Sequence, residues 1–239
     1  MQYAVNFRNT LPALLTGLFL GLCLLPVQGQ NLTDQQGNKH GAWEKVSEEG
    51  ILLYRGTFEH GIPVDTFTYF YPDGIKKAIS VFSEQGKKSR TTTFHYNGKP
   101  MAKGLYIDKE KDSLWQYFNN DGILLKDEIY RLGKRTGEWH VYYPNGQVAE
   151  LTQYADDKEN GIWKEFYTDG SLKAQGSYVD GKKEGLFEYY FPDGKLSASG
   201  RFSNDLKTGE WIYVDTVSGS QKKEFYESGK LIRSDDGDE

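Results

Sequence analysis

The reading of the fold turns on Gly185-Leu186-Phe187-Glu188-Tyr189-Tyr190-Phe191-Pro192-Asp193-Gly194-Lys195-Leu196, in which a run of aromatic residues meets Pro-Asp-Gly and reverses. Glycine takes a positive φ at no steric cost and Asp tolerates the left-handed region, so Asp193-Gly194 specifies a tight turn between two short strands. The same turn chemistry stands at Tyr71-Pro72-Asp73-Gly74 and Tyr143-Pro144-Asn145-Gly146. Each copy predicts a β-hairpin.

Working outward from Phe187, the chain repeats with a period of 24 residues. The anchor aromatic recurs at Trp43, Phe67, Trp115, Trp139, Trp163, Phe187 and Trp211, and Thr91 is the one empty place. With the anchor as zero, position +7 is glycine at Gly50, Gly74, Gly98, Gly122, Gly146, Gly170 and Gly194, whereas the last unit has Ser218 in phase and Gly219 one place late. Position +15 is aromatic in all eight units: Phe58, Phe82, Tyr106, Tyr130, Tyr154, Tyr178, Phe202 and Tyr226. An aliphatic row at +9 (Leu52, Leu124, Val148, Leu172, Leu196) is interrupted by Lys76, Pro100 and Ser220. Units five to eight keep a glycine at −2, as Gly137, Gly161, Gly185 and Gly209, but units two to four carry Asp65, Ser89 and Ser113 there. Different or looser linking turns are expected in those three.

These rows assign roles. The anchors, the +15 aromatics and the +3 row (Phe70, Phe94, Phe118, Tyr142, Phe166, Tyr190) read as packing residues, since aromatics at strand spacing are usually core. Alternation puts +2 and +4 on the face opposite +3, where Tyr69, Tyr71, Tyr117, Tyr143, Tyr167, Tyr189, Phe191 and Tyr213 stand. A tyrosine has an apolar body and a polar tip, which suits an interface, so these eight are the candidate binding surface. The alternative is that they cover the anchors and line the sheet.

The first 29 residues read differently. Arg8 precedes an apolar run from Leu11 to Leu25 that ends in Pro26-Val27-Gln28-Gly29, the order of a secretory signal cut after Gly29. A retained membrane anchor is the alternative, and about fifteen apolar residues fall short of the ~20 needed to span a bilayer. Cys23 follows Leu22, which disfavours a lipoprotein signal, and no cysteine lies beyond it to form disulfides. Removal of Arg8 takes the formal charge from −5 to −6. An acidic balance argues against nucleic acid, whose phosphates are neutralised by Lys and Arg.

The expected layout is a signal at 1–29, a short lead at 30–40, the repeat array at 41–232 and an acidic tail at 233–239. Stacked hairpins that touch only their neighbours make an all-β fold, an elongated single-layer antiparallel sheet or solenoid of eight units.

Chemistry is scarce. His40, His60, His95 and His140 fall at four different phases, so they form no ligand row. Gly133-Lys134, Gly181-Lys182 and Gly194-Lys195 lack the Ser or Thr and the earlier glycine of a phosphate loop, and no Gly-x-Ser-x-Gly elbow occurs. The turn carboxylates Asp73, Asp121, Asp169 and Asp193 interleave with Asn97 and Asn145, and turn chemistry accounts for them more economically than Ca²⁺ does. No catalytic residue, metal or cofactor is expected.

The repeated pattern resembles the MORN repeat, and more closely its bacterial variant, the group often labelled YwqK-type antitoxins, with Gly-x-Trp-x-x-Tyr-Tyr-x-Asp-Gly-x-Leu as core. The resemblance covers residues 41–232. It implies scaffolding, membrane-association or antitoxin roles. The function expected is therefore an exported, non-enzymatic interaction module of the bacterial envelope, periplasmic, outer-membrane-associated or secreted, with an unidentified protein partner. The alternatives are binding of membrane lipid or cell-wall glycan, or neutralisation of a toxin.

Overall fold

The computed structural model describes residues 30–235; the signal segment at 1–29 and the end of the acidic tail lie outside the described residues. Among the described residues there are nineteen strands and no helix, joined in one antiparallel sheet. Substantial contact between strands runs along the sequence: Lys39–Val46 meets Leu52–Glu59, which meets Ile62–Phe70, and so on to Gln221–Glu227 and Lys230–Asp235. The one interruption is at Thr136, where Lys134–Arg135 and Gly137–Tyr142 both pair with Leu124–Arg131. The fold is the expected all-β array of hairpins in a single layer. Its last strand continues to Asp235, so residues 233–235 belong to the sheet.

Within each hairpin the anchor stands opposite position +13: Trp43 pairs with Gly56, Trp163 with Gly176 and Phe187 with Gly200. The anchor, +2, +11, +13 and +15 share one face, and +1, +3, +9, +12 and +14 share the other. A register shift before +3 recurs in most hairpins and brings +3 opposite +9, as in Phe70 with Lys76 and Phe166 with Leu172. Such a shift bends the strand and strengthens its twist.

The buried core lies between units, and glycine makes it. Where +13 is Gly56, Gly104, Gly176 or Gly200, the ladder to the next unit skips that glycine and the next anchor lies across it. A Cβ added at any of the four would overlap the ring of Phe67, Trp115, Phe187 or Trp211 respectively. Those four anchors are at most 3% exposed. Trp139 and Trp163, which follow Glu128 and Thr152 instead of glycine, are only half-buried. The indole N–H groups of Trp115, Trp139 and Trp211 donate to the carbonyls of Leu105, Ile129 and Arg201 in the preceding hairpin, at 3.0, 3.0 and 3.1 Å.

The linking turns correct one expectation. Asp65 and Ser113 adopt φ of 53° and 57°, the left-handed conformation that Gly41, Gly137, Gly161, Gly185 and Gly209 take at the same phase. The turns are therefore alike, and two of them hold a non-glycine residue where it costs about 1–2 kcal/mol. Ser89 alone differs. Its strand, Lys88–Phe94, pairs with Lys76–Ser83 without any register shift.

Both margins of the sheet are stitched by bonds reaching one unit onward. On one margin the Tyr71, Tyr143 and Tyr167 hydroxyls donate to the carbonyls of Phe94, Phe166 and Tyr190, and Asn97 and Asn145 donate to Asn120 and Thr168. On the other, Lys134 reaches Asp156, Lys158 reaches Asp180 and Lys182 reaches Asn204. At the beginning of the array Asp34 closes its own turn by accepting from the N–H groups of Gln36 and Asn38. The His60 ring, 2.7 Å away, together with these bonds, brings the Asp34 carboxyl down to about 2 against the opposing effect of burial.

Candidate functional site

The anchor face is a ladder of rings. Anchors and +15 aromatics alternate along it, for example Phe187, Phe202 and Trp211, with 5.0 Å between successive ring centres and near-perpendicular planes. Edge-to-face contact of this kind sets the positive ring edge against the negative face. A further row lies four residues before the anchor. Lys39, Lys111, Lys183 and Lys207 each place an ammonium 4.5–5.4 Å from the centre of their own anchor, and Arg135 lies 4.7 Å above Tyr154. The sequence reading missed this row. Its signal was present, since these residues share one phase, but lysine on a strand reads as solvent-facing until the ring beneath it is seen.

All eight candidate binding residues are half-buried, and they divide into two groups. Tyr69, Tyr117 and Tyr213, at +2, lie 6.4, 6.4 and 6.1 Å from Phe67, Trp115 and Trp211, and Tyr189 lies 6.5 Å from Trp211. They are part of the ring ladder. Tyr71, Tyr143 and Tyr167, at +4, stitch hairpin to hairpin through their hydroxyls. Phe191, the fourth of that group, lines an open hollow beside Pro192, Val214 and Val217. The eight therefore do not form a single continuous row. His95 takes the +4 place in unit three, and its Nε2 lies 2.9 Å from the Phe118 carbonyl, repeating the tyrosine contact.

Two charged clusters repeat at an interval of four units. In unit four the Lys111 ammonium donates to the Tyr117 hydroxyl at 2.5 Å, Tyr130 donates to Glu128 at 2.8 Å, and Lys126 lies 2.6 Å from the same carboxylate. In unit eight Lys207, Tyr213, Tyr226, Glu224 and Lys222 repeat the set. Glu128 is 3% exposed. Burial pushes its pKa up, but hydrogen bonds from Lys126, Tyr117 and Tyr130 outweigh that and hold it below the usual carboxylate range. Burial and then the Glu128 carboxylate push the Tyr130 hydroxyl up to about 12 and raise Tyr117 further. Both tyrosines stay protonated as donors. A carboxylate satisfied by three donors in this way is a structural device, standing where other units have glycine.

Unit three lacks its ring. Thr91 occupies the anchor phase, Ser80 occupies the +13 place before it, and their hydroxyls bond each other at 2.8 Å inside the sheet. Above them opens a hollow of about 670 Å³, walled by Tyr69, Phe82 and Tyr106, with Lys87 and Lys109 at its rim. Phe82 packs on Phe67 at 5.1 Å on its far side and Tyr106 on Trp115 at 4.7 Å on its far side. No ring among the described residues fills the interval between them.

Among the described residues no group of three or more His, Cys, Asp or Glu is placed to hold a metal ion. Asp73, Asp169 and Asp193 each accept the backbone N–H two residues on, as Asn97 and Asn145 do, which is turn chemistry. In unit four Asn119 does this work, accepting from the Asp121 N–H, and the Asp121 carbonyl accepts from Lys99. No helix among the described residues is long and apolar enough to cross a membrane.

Comparison with known proteins matches residues 135–156, 159–180 and 183–204 to the family described as MORN repeat variant. The match begins one hairpin link before Trp139 and follows the 24-residue period through three consecutive units. MORN repeats are commonly protein- or membrane-binding modules and are generally non-enzymatic. No curated protein matches this chain. Among solved structures, that of TcdB2-TccC3 aligns over 86% of this chain and 15% of that one, at 10% identity and a TM-score of 0.23. A mutated form of the Photorhabdus luminescens Tc holotoxin pore aligns over 83% and 14%, at 11% identity and a TM-score of 0.19. The chain thus spans a small share of either.

Proposed function

We propose that the array, three of whose units match the MORN repeat variant family, is a non-enzymatic module that holds a protein partner on its anchor face, outside the cytoplasm of the cell that exports it. The observation that carries this is the single layer. Strands pair along the sequence, so no second layer of the described chain covers the face, whose +15 rings and ring-covering −4 cations stay half-buried around the buried anchors. Aromatic residues that are already held in place lose little freedom on binding, and they are enriched at protein interfaces. Export rests on the Arg8–Gly29 signal pattern.

The test places a photo-crosslinking amino acid at Val141, exposed on the anchor face, or at Ile162, exposed on the other, and irradiates cells making the full chain. Adducts with one protein from position 141 and not from 162 are expected. Adducts from neither position, or from 162 alone, overturn the reading.

A second reading has one observation in its favour. Leu114, Ile162 and Leu186 occupy the −1 phase on the opposite face and are 45–47% exposed, apolar positions suited to lipid or a polymer surface although Glu138 stands between the first two. Sedimentation with vesicles and with wall material decides it, and retention by neither removes it.

A further inference from the structure

The hollow over Thr91 is the place on the anchor face where the period calls for a ring and the chain supplies none. We propose that it is a socket for an aromatic side chain of the protein partner, presented on an acidic segment; this rests on the protein-binding reading above and names the chemistry of its contact.

Three observations converge on that occupant. The first is the broken ladder. Phe202 has an anchor 5.0 Å away on each side, whereas Phe82 and Tyr106 each have an anchor on one side only and the hollow on the other. Two rings therefore line an opening at the phase of the repeat that elsewhere takes a third ring.

The second is the floor. Ser80 and Thr91 satisfy each other, and no buried side-chain polar atom among the described residues lacks a partner. An apolar ring laid on this floor strands no polar group and owes no hydrogen bond to it. The Cβ of Ser80 stands where Gly56, Gly104, Gly176 and Gly200 have none, so the incoming ring rests above Ser80, higher than an anchor of the chain itself.

The third is charge. Lys87 is at the −4 phase, where Lys39, Lys111, Lys183 and Lys207 each lie over the ring of their own unit, but unit three gives Lys87 no ring to cover. Lys87 and Lys109 pair with no carboxylate among the described residues, and both line the rim. A ring entering the socket completes the cation–π contact that the other units make internally, and carboxylates beside it in the partner's sequence meet the two ammonium groups.

The experiment titrates the full array, residues 30–239, with a labelled peptide, acetyl-Asp-Glu-Trp-Asp-Glu-amide, and with two controls in which Ala replaces Trp or Lys replaces each acid. The Trp-centred acidic peptide is expected to bind at least about tenfold more tightly than either control. The double variant Ser80→Gly with Thr91→Trp, which fills the socket from within and whose folding is checked by its thermal transition, is expected to lose that preference. Lys87→Glu with Lys109→Glu is expected to turn it toward the basic peptide. Equal binding of the Ala-centred peptide, or undiminished binding by the filled variant, overturns the proposal. So does displacement of the acidic peptide from the socket by chito-oligosaccharide or by anionic vesicles at lower concentration. Photo-crosslinking from Val141 in the filled variant separates the two readings: an unchanged adduct keeps the protein-binding function and removes the socket, whereas absence of adducts even from the wild-type chain removes the function.

Discussion

Unit three and unit eight occupy the same place in the repeat and solve it in opposite ways. At unit eight Gly200 clears the ladder, Gly209 turns left-handed at 65°, and Trp211 lies across the glycine at 2% exposure. At unit three all three elements change together: Ser80 replaces the glycine, Ser89 keeps an ordinary φ, and Thr91 pairs straight across to Ser80. An anchor ring buried to 3% exposure or less thus goes with both a missing Cβ below it and a shifted register beside it, whereas Trp139 and Trp163, over Glu128 and Thr152, stay half-buried. At unit three, where both are absent, the sheet runs as a regular ladder with a hydroxyl pair. The gap in the aromatic row is a coordinated substitution, and the hollow is its consequence.

The comparison breaks most clearly at the anchors themselves. Trp211→Ala is expected to cost about 3–5 kcal/mol, read as a lowered unfolding midpoint, because it opens a cavity under a fully packed ring. Thr91→Ala at the same phase removes one hydroxyl pair and costs about 1 kcal/mol. Equal losses at the two sites would end the distinction between them. Filling the hollow tests it from the other side. Ser80→Gly with Thr91→Trp should gain about 1.5–3 kcal/mol of stability from ring burial, and Thr91→Trp alone should gain none, because the Ser80 Cβ occupies the ring's place.

Charge offers a finer test. Glu128→Gln is expected to cost about 1.5–3 kcal/mol near neutral pH by weakening charge-assisted bonds to Lys126 and Tyr130. The folded pKa of Glu128 lies below its ordinary value, so its contribution is complete above the unfolded pKa and fades as the pH falls through the folded one. The stability difference between the wild-type chain and Glu128→Gln should therefore narrow in acid, and a difference that widened would refute the assignment. The smallest effect is at the margin. Tyr143→Phe or Tyr167→Phe should each lose about 0.5–1.5 kcal/mol with the bond to the next unit, and Phe191, which has no hydroxyl to lose, should tolerate Tyr without that cost.

Much of this architecture was legible in the sequence. The anchors, the +15 aromatics and the turn glycines announce themselves because each row needs one residue type for one physical reason, a ring to stack or a positive φ to adopt. Other rows did not, because the residue that matters is judged by its neighbour in the next unit. Gly56 reads alone as a weak point in a strand and becomes a floor only when Phe67 lies on it. Lys207 reads as a solvated charge until Trp211 is found 4.5 Å beneath it. The linking turns misled in the opposite direction: Asp65 and Ser113 looked unlike glycine, yet the neighbouring hairpins hold their backbones left-handed all the same. The candidate tyrosines divided because the shift before +3 ends the strand's alternation there, leaving +2 on the ring ladder and +4 in the hairpin turn.

The stitching of both margins bears on how such a chain can change its length. Each bond joins a residue to an acceptor 22 or 23 residues onward, and where that acceptor is a backbone carbonyl the bond does not depend on which two units are adjacent. Excision of residues 163–186 would join Ile162 to Phe187 and recreate every class of bond at the splice, since it removes one whole 24-residue period. Excision of one residue more or fewer would throw each later tyrosine, lysine and turn aspartate out of step with its acceptor. The bonds work like the teeth of a rack, permitting travel only by whole teeth, so length can vary in steps of a unit while the spacing between units is held fixed.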